Sequence, residues 1–378
     1  MIDNHARNGR RSGAAARTIA AIVATAVLAL VAGCTSSPAG SAAVADIGAA
    51  VTLRLGYFAN VTHATPVVGV ARGTYAAHLG ATRLETQIFN AGPAAVEALL
   101  AGSLDAAYVG PNPAINAFTR TKGAAVRIVA GATSGGAALV VKPGISSAEQ
   151  LRGKTLATPQ LGGTQDVALR AWLAEHGLRT SPSGGGDVTV APNDNATTLQ
   201  LFADGKVDGG WLPEPWASRL VIEGGGSVLV DERDLWPNGR FVTTNLLVST
   251  KFLRQHPATV RALLDAQVET SGWINANRPA AQQVVQDELV RLTGKGLKPA
   301  VMERAFAGVE ITDDPVASSL DSSARHATDI GLLPKTDLHG IYDLRALTAA
   351  LAAAGRPAVS PPVSPPVSPP VSNAGLGK

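Results

Sequence analysis

Five turns marked by glycine or proline carry the side chains best suited to chemistry, and that chemistry is holding an anion or a polar group rather than making bonds. In YVGPNPAINA, Gly110-Pro111-Asn112-Pro113 ends a strand-like run and opens a helix. Proline lacks an N–H and has a preset φ, which suits a first helical turn, and it pushes the preceding residue to extended geometry. A helix starting at Asn112 leaves backbone N–H groups unpaired at the positive end of its dipole, a seat for an anion. The plainer alternative is that Asn112 only caps its own helix. In GYFANVTHA, Asn60, Thr62 and His63 offer donors and acceptors, or else Asn60 turns the chain and Thr62 caps. Thr133-Ser134-Gly135-Gly136 lies between two strands, where glycine permits close backbone approach. Leu161-Gly162-Gly163-Thr164-Gln165-Asp166 follows a strand and leads a helix, so Gly163, Thr164 and Gln165 present donors. Trp211-Leu212-Pro213-Glu214-Pro215-Trp216 brackets an acid between prolines and tryptophans; Trp216 walls a pocket or sits in a core, while Glu214 braces a loop.

The catalytic chemistries lack their parts. No Walker loop or G-x-G-x-x-G is present, no G-x-S-x-G elbow, and no H-E-x-x-H or Cys/His cluster among the seven histidines and single cysteine. No enzyme activity, cofactor or metal is expected. Arg170 and Arg240 are the candidate counter-charges for an anion, with a solvated surface position as the ordinary expectation for each.

The elements that must position these turns alternate in periodicity between 2 and 3.6. Strands are expected at 52–57, 83–89, 106–109, 126–130, 138–142, 154–158, 187–190, 209–212, 227–231 and 245–249. Helices are expected at 66–78, 93–101, 113–122, 166–176, 196–203 and 217–223. Strand and helix in turn argue for parallel sheets covered on both faces. From Lys251 onward the spacing is almost wholly helical. The fold class is therefore α/β, two-lobed, with ligand bound beyond the carboxyl ends of the strands.

The chain ends stand apart. Arg7, Arg10, Arg11 and Arg17 precede an apolar run from Thr18 to Ala32, the pattern of a secretory signal too short to span a bilayer comfortably. The run closes on Leu30-Val31-Ala32-Gly33-Cys34, similar to a bacterial lipobox, so Cys34 is expected to carry lipid. Without residues 1–33, the 32 basic and 29 acidic residues become 28 of each. A neutral mature chain gives no electrostatic case for nucleic-acid binding. Residues 34–50 read as a tether, and 356–378, with its SPPV repeats, as an extended spacer.

Between these ends the chain resembles the nitrate, sulfonate and taurine family of solute-binding proteins of ATP-driven importers. The motifs that carry the resemblance are LRLGYFANVTHA, EALLAGSLDAAYVGPNPAINA, VAGATSGGAALVV, LATPQLGGTQDVALRAWL, DGGWLPEPWASRLV and LVDERDLWPNGRFVTTNLLVSTKFL. The resemblance implies a type II periplasmic-binding-protein fold: 51–138 and 243–355 form one lobe, 139–242 the other, and a small oxyanion is held between them. It implies contacts from Asn60, His63, Gly110, Pro111, Asn112, Ser134 and Gly135 on one side. Gly163, Thr164, Gln165, Glu214 and Trp216 would answer from the other. Alkanesulfonate is the first expectation, with taurine, nitrate or a thiamine-pyrimidine precursor behind it and a ligand sensor or adhesin as a separate class. The implied setting is a monomer, lipid-anchored on the extracytoplasmic face of the cell membrane, serving a permease and its ATPase.

Overall fold

The computed structural model describes residues 47–359. The signal, Cys34 and most of the Pro-rich tail lie outside the described residues. In chain order the strands are β1 (Thr52–Phe58), β2 (Arg83–Phe89), β3 (Ala106–Val109), β4 (Val126–Gly135), β5 (Ala137–Val141), β6 (Thr155–Thr158), β7 (Thr189–Pro192), β8 (Gly209–Pro213), β9 (Ser227–Asp231), β10 (Val242–Ser249) and β11 (Val309–Ile311). They build a first sheet in the order β11-β4-β10-β3-β1-β2 and a second in the order β7-β6-β8-β5-β9.

Helices cover both sheets. These are α1 (Ala64–Ala71), α2 (Thr74–Leu79), α3 (Gly92–Leu100), α4 (Pro111–Arg120), α5 (Thr164–Glu175), α6 (Asn195–Ala203) and α7 (Trp216–Ile222), followed by α8 (Thr250–Gln255), α9 (Pro257–Ala276), α10 (Arg278–Thr293), α11 (Pro299–Ala307), α12 (Ala317–Asp329) and α13 (Arg345–Ala353). Leu53, Leu55, Tyr57 and Leu246 pack on one face of the first sheet with α1, α9 and α10, while Ala107, Val109, Ile128 and Leu247 face α3, α4 and α12. The second sheet is covered likewise, with Leu139, Leu156 and Trp211 toward α5 and Val140 and Leu212 toward α7 and Phe202 of α6. Burial on both faces explains the near-continuous apolar strands such as AALVV. Each fully buried Val or Leu contributes about 1.5–3 kcal/mol.

The expectation of parallel sheets needs correction: β10 and the short edge strand β11 are reversed in the first sheet, and β5 is reversed in the second. β5 runs antiparallel to β8, and β10 antiparallel to β3 and β4. The reason is where the chain crosses. It leaves the first sheet at the carboxyl end of β4 and enters the second beside the carboxyl end of β8, where Ala137 faces Pro213. It returns as β10 beside the end of β3, where Asn245 faces Val109. A strand entering from the ligand end must run against its neighbours.

One local expectation also fails. The helix expected over 66–78 breaks into α1 and α2 at Gly73, whose φ of 74° no interior helical residue adopts. The almost wholly helical C-terminal part is present as expected, with one addition: β11 adds an edge to the first sheet. Behind that sheet lies a buried polar chain. The Tyr75 and Tyr108 hydroxyls share a hydrogen bond of 2.6 Å, Tyr108 donates to Gln267 Oε1, and Gln267 donates to Asp313 Oδ1. Asp313 also accepts from Ser271 and pairs with Arg356 at 2.7 Å, which bolts the end of the described chain to the core.

Candidate ligand cleft

A small cavity of about 30 Å³ lies where the carboxyl ends of the two sheets meet, and both sheets contribute to its wall. Helix amino ends converge there. Ala91 and Gly92 begin α3, Gly110 precedes α4, Gly163 precedes α5, and Asn195 begins α6. Gly110 and Gly163 have nearly the same extended geometry (φ −71°, ψ 169° and φ −72°, ψ 170°), so α4 and α5 start alike, each with its amino end at the cavity wall. The two turns are also in near contact: a Cβ on Gly110 would lie 2.1 Å from Thr164 Oγ1. Glycine at 110 is what lets the halves approach.

The wall carries no Asp, Glu, Lys or Arg. His63 is 2% exposed, its ring stacks on Phe58 at 4.1 Å, and its Nδ1 accepts from the Phe58 N–H. Burial lowers its pKa to about 3, so the ring is neutral. With Nδ1 accepting, the proton belongs on Nε2, which has no protein partner among the described residues and is left as a donor. Asn60 Oδ1 accepts from Trp216 Nε1 at 3.0 Å, a hydrogen bond that joins the two halves. Thr62 N–H donates to the Glu214 carbonyl at 3.4 Å and makes a second such link. The Thr62 carbonyl is fixed in turn by the hydroxyls of Thr133 and Thr244.

Of the residues singled out from sequence, Asn60, Thr62, His63, Gly110, Gly163, Thr164 and Gln165 line the cavity. Others sit elsewhere. The helix starts at Pro111, with Gly110 rather than Asn112 as its cap; Asn112 lies in the first turn and donates to the Ser323 carbonyl, tying α4 to α12. Pro111 is buried behind the cap. Ser134 accepts from the Phe241 N–H, and Gly135 donates to the Phe241 carbonyl, so both serve the crossover. Glu214 is buried beside the cavity without lining it and accepts from the Ser218 N–H at 3.1 Å, while burial raises its pKa. Trp216 acts through Asn60.

Neither arginine reaches the cavity. Arg240 pairs with Glu310 on the surface. Arg170 is only 2% exposed, against the expectation of a solvated position, and pairs with Asp166 at 3.1 Å. Asp166 also accepts from Thr158 Oγ1 and the Gly162 N–H, so this pair braces the turn that presents Gly163. Sequence reasoning passed over Asn90, Gln160, Thr243 and Asn195, all in the wall. Asn195 is 5% exposed, and its Oδ1 has no partner among the described residues. Its signal was Asp194-Asn195 before an apolar helix; Asp194 caps, accepting from the Thr197 N–H, and frees Asn195 to face the cavity.

Residues 48–288 match the NMT1-like family. The chain belongs to that family. Among its relatives, the taurine-binding periplasmic protein of Escherichia coli K12 is 28% identical over 218 residues, 57% of this chain and 65% of that protein. The alkanesulfonate-binding protein SsuA from Xanthomonas axonopodis pv. citri, bound to MOPS, superposes with a TM-score of 0.62 at 24% identity over 75% of this chain and 95% of the other. The periplasmic nitrate-binding protein NrtA from Synechocystis PCC 6803 superposes at 0.66 and 18% identity, over 80% and 89%. The NMT1-like chain thus has the fold of periplasmic solute-binding proteins. No described helix is long and apolar enough to cross a membrane.

Proposed function

We propose that the protein is the extracytoplasmic solute-binding component of an ABC importer, capturing a small oxyanion between two lobes and delivering it to a permease driven by its ATPase. The observation that carries this reading is the cavity wall: amino ends of helices from both sheets and uncharged donors converge on one point from which every carboxylate is excluded. Such a wall suits a negative head, with the helix amino ends and the His63 Nε2 donor facing it. Each helix-end or charge-assisted contact contributes about 1 kcal/mol, so several together support micromolar capture, which needs about 8 kcal/mol.

In this reading His63 Nε2, Asn60, Thr164, Gln165 and the Gly110 and Gly163 turns hold the head, and Asn195 joins them. A sulfonate is the first choice, consistent with the alkanesulfonate-binding protein that shares the fold and the taurine-binding protein similar in sequence. A nitrate-sized oxyanion is the second, favoured by a cavity of only about 30 Å³, which has room for a head and little for a chain. A thermal-shift panel of ethanesulfonate, taurine, nitrate and a pyrimidine precursor tests the reading. A true ligand at 100 times its Kd stabilises by about 2.7 kcal/mol, and the absence of a shift with any oxyanion would overturn it.

Cys34 is read as the lipid attachment site that keeps a monomer on the outer face of the membrane. Native protein is expected in the detergent phase of a Triton X-114 separation, and Cys34→Ser in the aqueous phase or as an uncleaved precursor. An aqueous wild type with a free thiol would refute the anchor alone.

A further inference from the structure

We propose that the pole of the first sheet opposite the cavity is a docking surface for anionic phospholipid headgroups. Arg127, Arg254 and Arg345 line an open groove of about 630 Å³ there, and Lys122 and Lys335 line a second of about 480 Å³ that shares Arg127. Asp337 and Asp343 are the acids in these grooves, and Asp343 is already paired with Arg345. Lys122, Arg254 and Lys335 are exposed and take no ion-pair partner among the described residues. The like charges feel one another, since Arg254 contributes to lowering the pKa of Arg127, after the larger effect of burial. In a chain whose expected mature form has equal numbers of acids and bases, this is a local excess of positive charge.

The place of the excess decides what it meets. β4 begins at Val126 and β10 ends at Ser249, so the grooves lie at the end of the sheet away from the cavity. The described chain starts at the same end: the Ile47 N–H donates to the Gln255 carbonyl, and His256 Nδ1 pairs with the Gly48 carbonyl, one and two residues from Arg254. Cys34 stands thirteen residues before Ile47, a distance of at most about 45 Å even when fully extended. This inference rests on the anchor reading for its setting: an acylated Cys34 would tether the chain from this pole. A second, electrostatic contact makes anchoring firm where acyl chains alone give reach without orientation. The free protein then lies with its cavity turned toward the incoming solute and away from the negative surface.

The test uses the chain from residue 35, which keeps both sheets and every described core cluster and lacks Cys34, so its result does not depend on acylation. Sedimentation with vesicles of phosphatidylcholine alone is compared with vesicles also containing phosphatidylglycerol, at low and high salt. Binding is expected only with the anionic lipid and is expected to fall as salt screens it. Each Lys or Arg at such a surface strengthens adsorption about five-fold, so Arg254→Gln should lose about that factor and the triple variant Lys122→Glu, Arg254→Glu, Lys335→Glu all measurable binding. An unchanged oxyanion thermal shift in each variant shows that the fold is intact. Equal binding to both vesicle types, or full retention by a folded triple variant, would overturn the proposal. So would a triple variant that binds vesicles normally but fails to dock on a reconstituted permease, because the surface would then belong to a protein partner.

Discussion

At the scale of single residues, the cavity works with groups that stay neutral. His63 has a pKa lowered by burial to about 3 against an ordinary 6.5, so the stability tied to its neutral form is fully present above about pH 6.5 and is lost as pH falls toward 3. Glu232 runs the other way. Buried and accepting from Trp211 Nε1 at 2.7 Å, it has a pKa raised by burial to about 7, so its contribution is greatest below the ordinary carboxylate range and is lost as pH rises through 7. Glu232→Gln keeps an acceptor for Trp211 and removes the cost of ionisation. Chemical denaturation at pH 8 should therefore show a gain on the order of 3 kcal/mol at most, with no gain at pH 4; equal effects at both would place the ionisation elsewhere. Asn112→Ala, by contrast, should lower stability by about 1 kcal/mol through loss of the Ser323 contact and leave calorimetric affinity nearly unchanged. Asn112 was legible as a helix-start residue, but its direction was not. Whether an amide beside a cap points to ligand or to α12 depends on a contact with residue 323, and spacing along the chain does not encode that contact.

At the scale of elements, the cavity depends on how the starts of α4 and α5 are held. Glycine at 110 leaves room for Thr164, so Gly110→Ala should keep the helices folded yet hold the halves apart. Affinity is expected to fall more than ten-fold by calorimetry with a much smaller change in melting of the unliganded protein; an unchanged Kd would mean that Thr164 rotates away at no cost. The Asp166–Arg170 pair supports the other start. Asp166→Ala strands a buried guanidinium and should cost about 3–5 kcal/mol, visible as a lowered urea midpoint. β2, β3 and β9 have the expected bounds; β3 was legible as a continuous run buried on both faces, whereas the edge strands β2 and β9 were legible from their short strand-like runs between turns despite their exposure. The reversal of β5 and β10 was not, since periodicity gives the pitch of a strand and never its direction. Arg170 misled for a related reason: on the sequence it reads as the polar stripe of a helix, and only the loop returning through Ser181, whose carbonyl takes its Nη1, buries it.

At the scale of the whole molecule, two hydrogen bonds cross between the halves near the cavity, Trp216 to Asn60 and Thr62 to Glu214. Trp216→Phe keeps the wall and removes the first. Loss of about 1 kcal/mol from the closed form predicts about five-fold faster ligand release in stopped flow, with association little changed; a slower association instead would mean that the indole shapes the open form. The pairing of Gly135 with Phe241, reinforced by Ser134, has a consequence beyond closure. The chain departs from the first sheet and comes back to it at two residues already hydrogen-bonded to each other, and residues 137–241 make the whole of the second sheet. In genetic terms that segment is a cassette: it can be exchanged through one in-frame replacement whose ends are fixed in space, carrying the turns at 163 and 195 with it while the scaffold, the termini and the basic pole stay in place. New specificities can therefore arise by recombination at two points rather than by rebuilding both walls residue by residue.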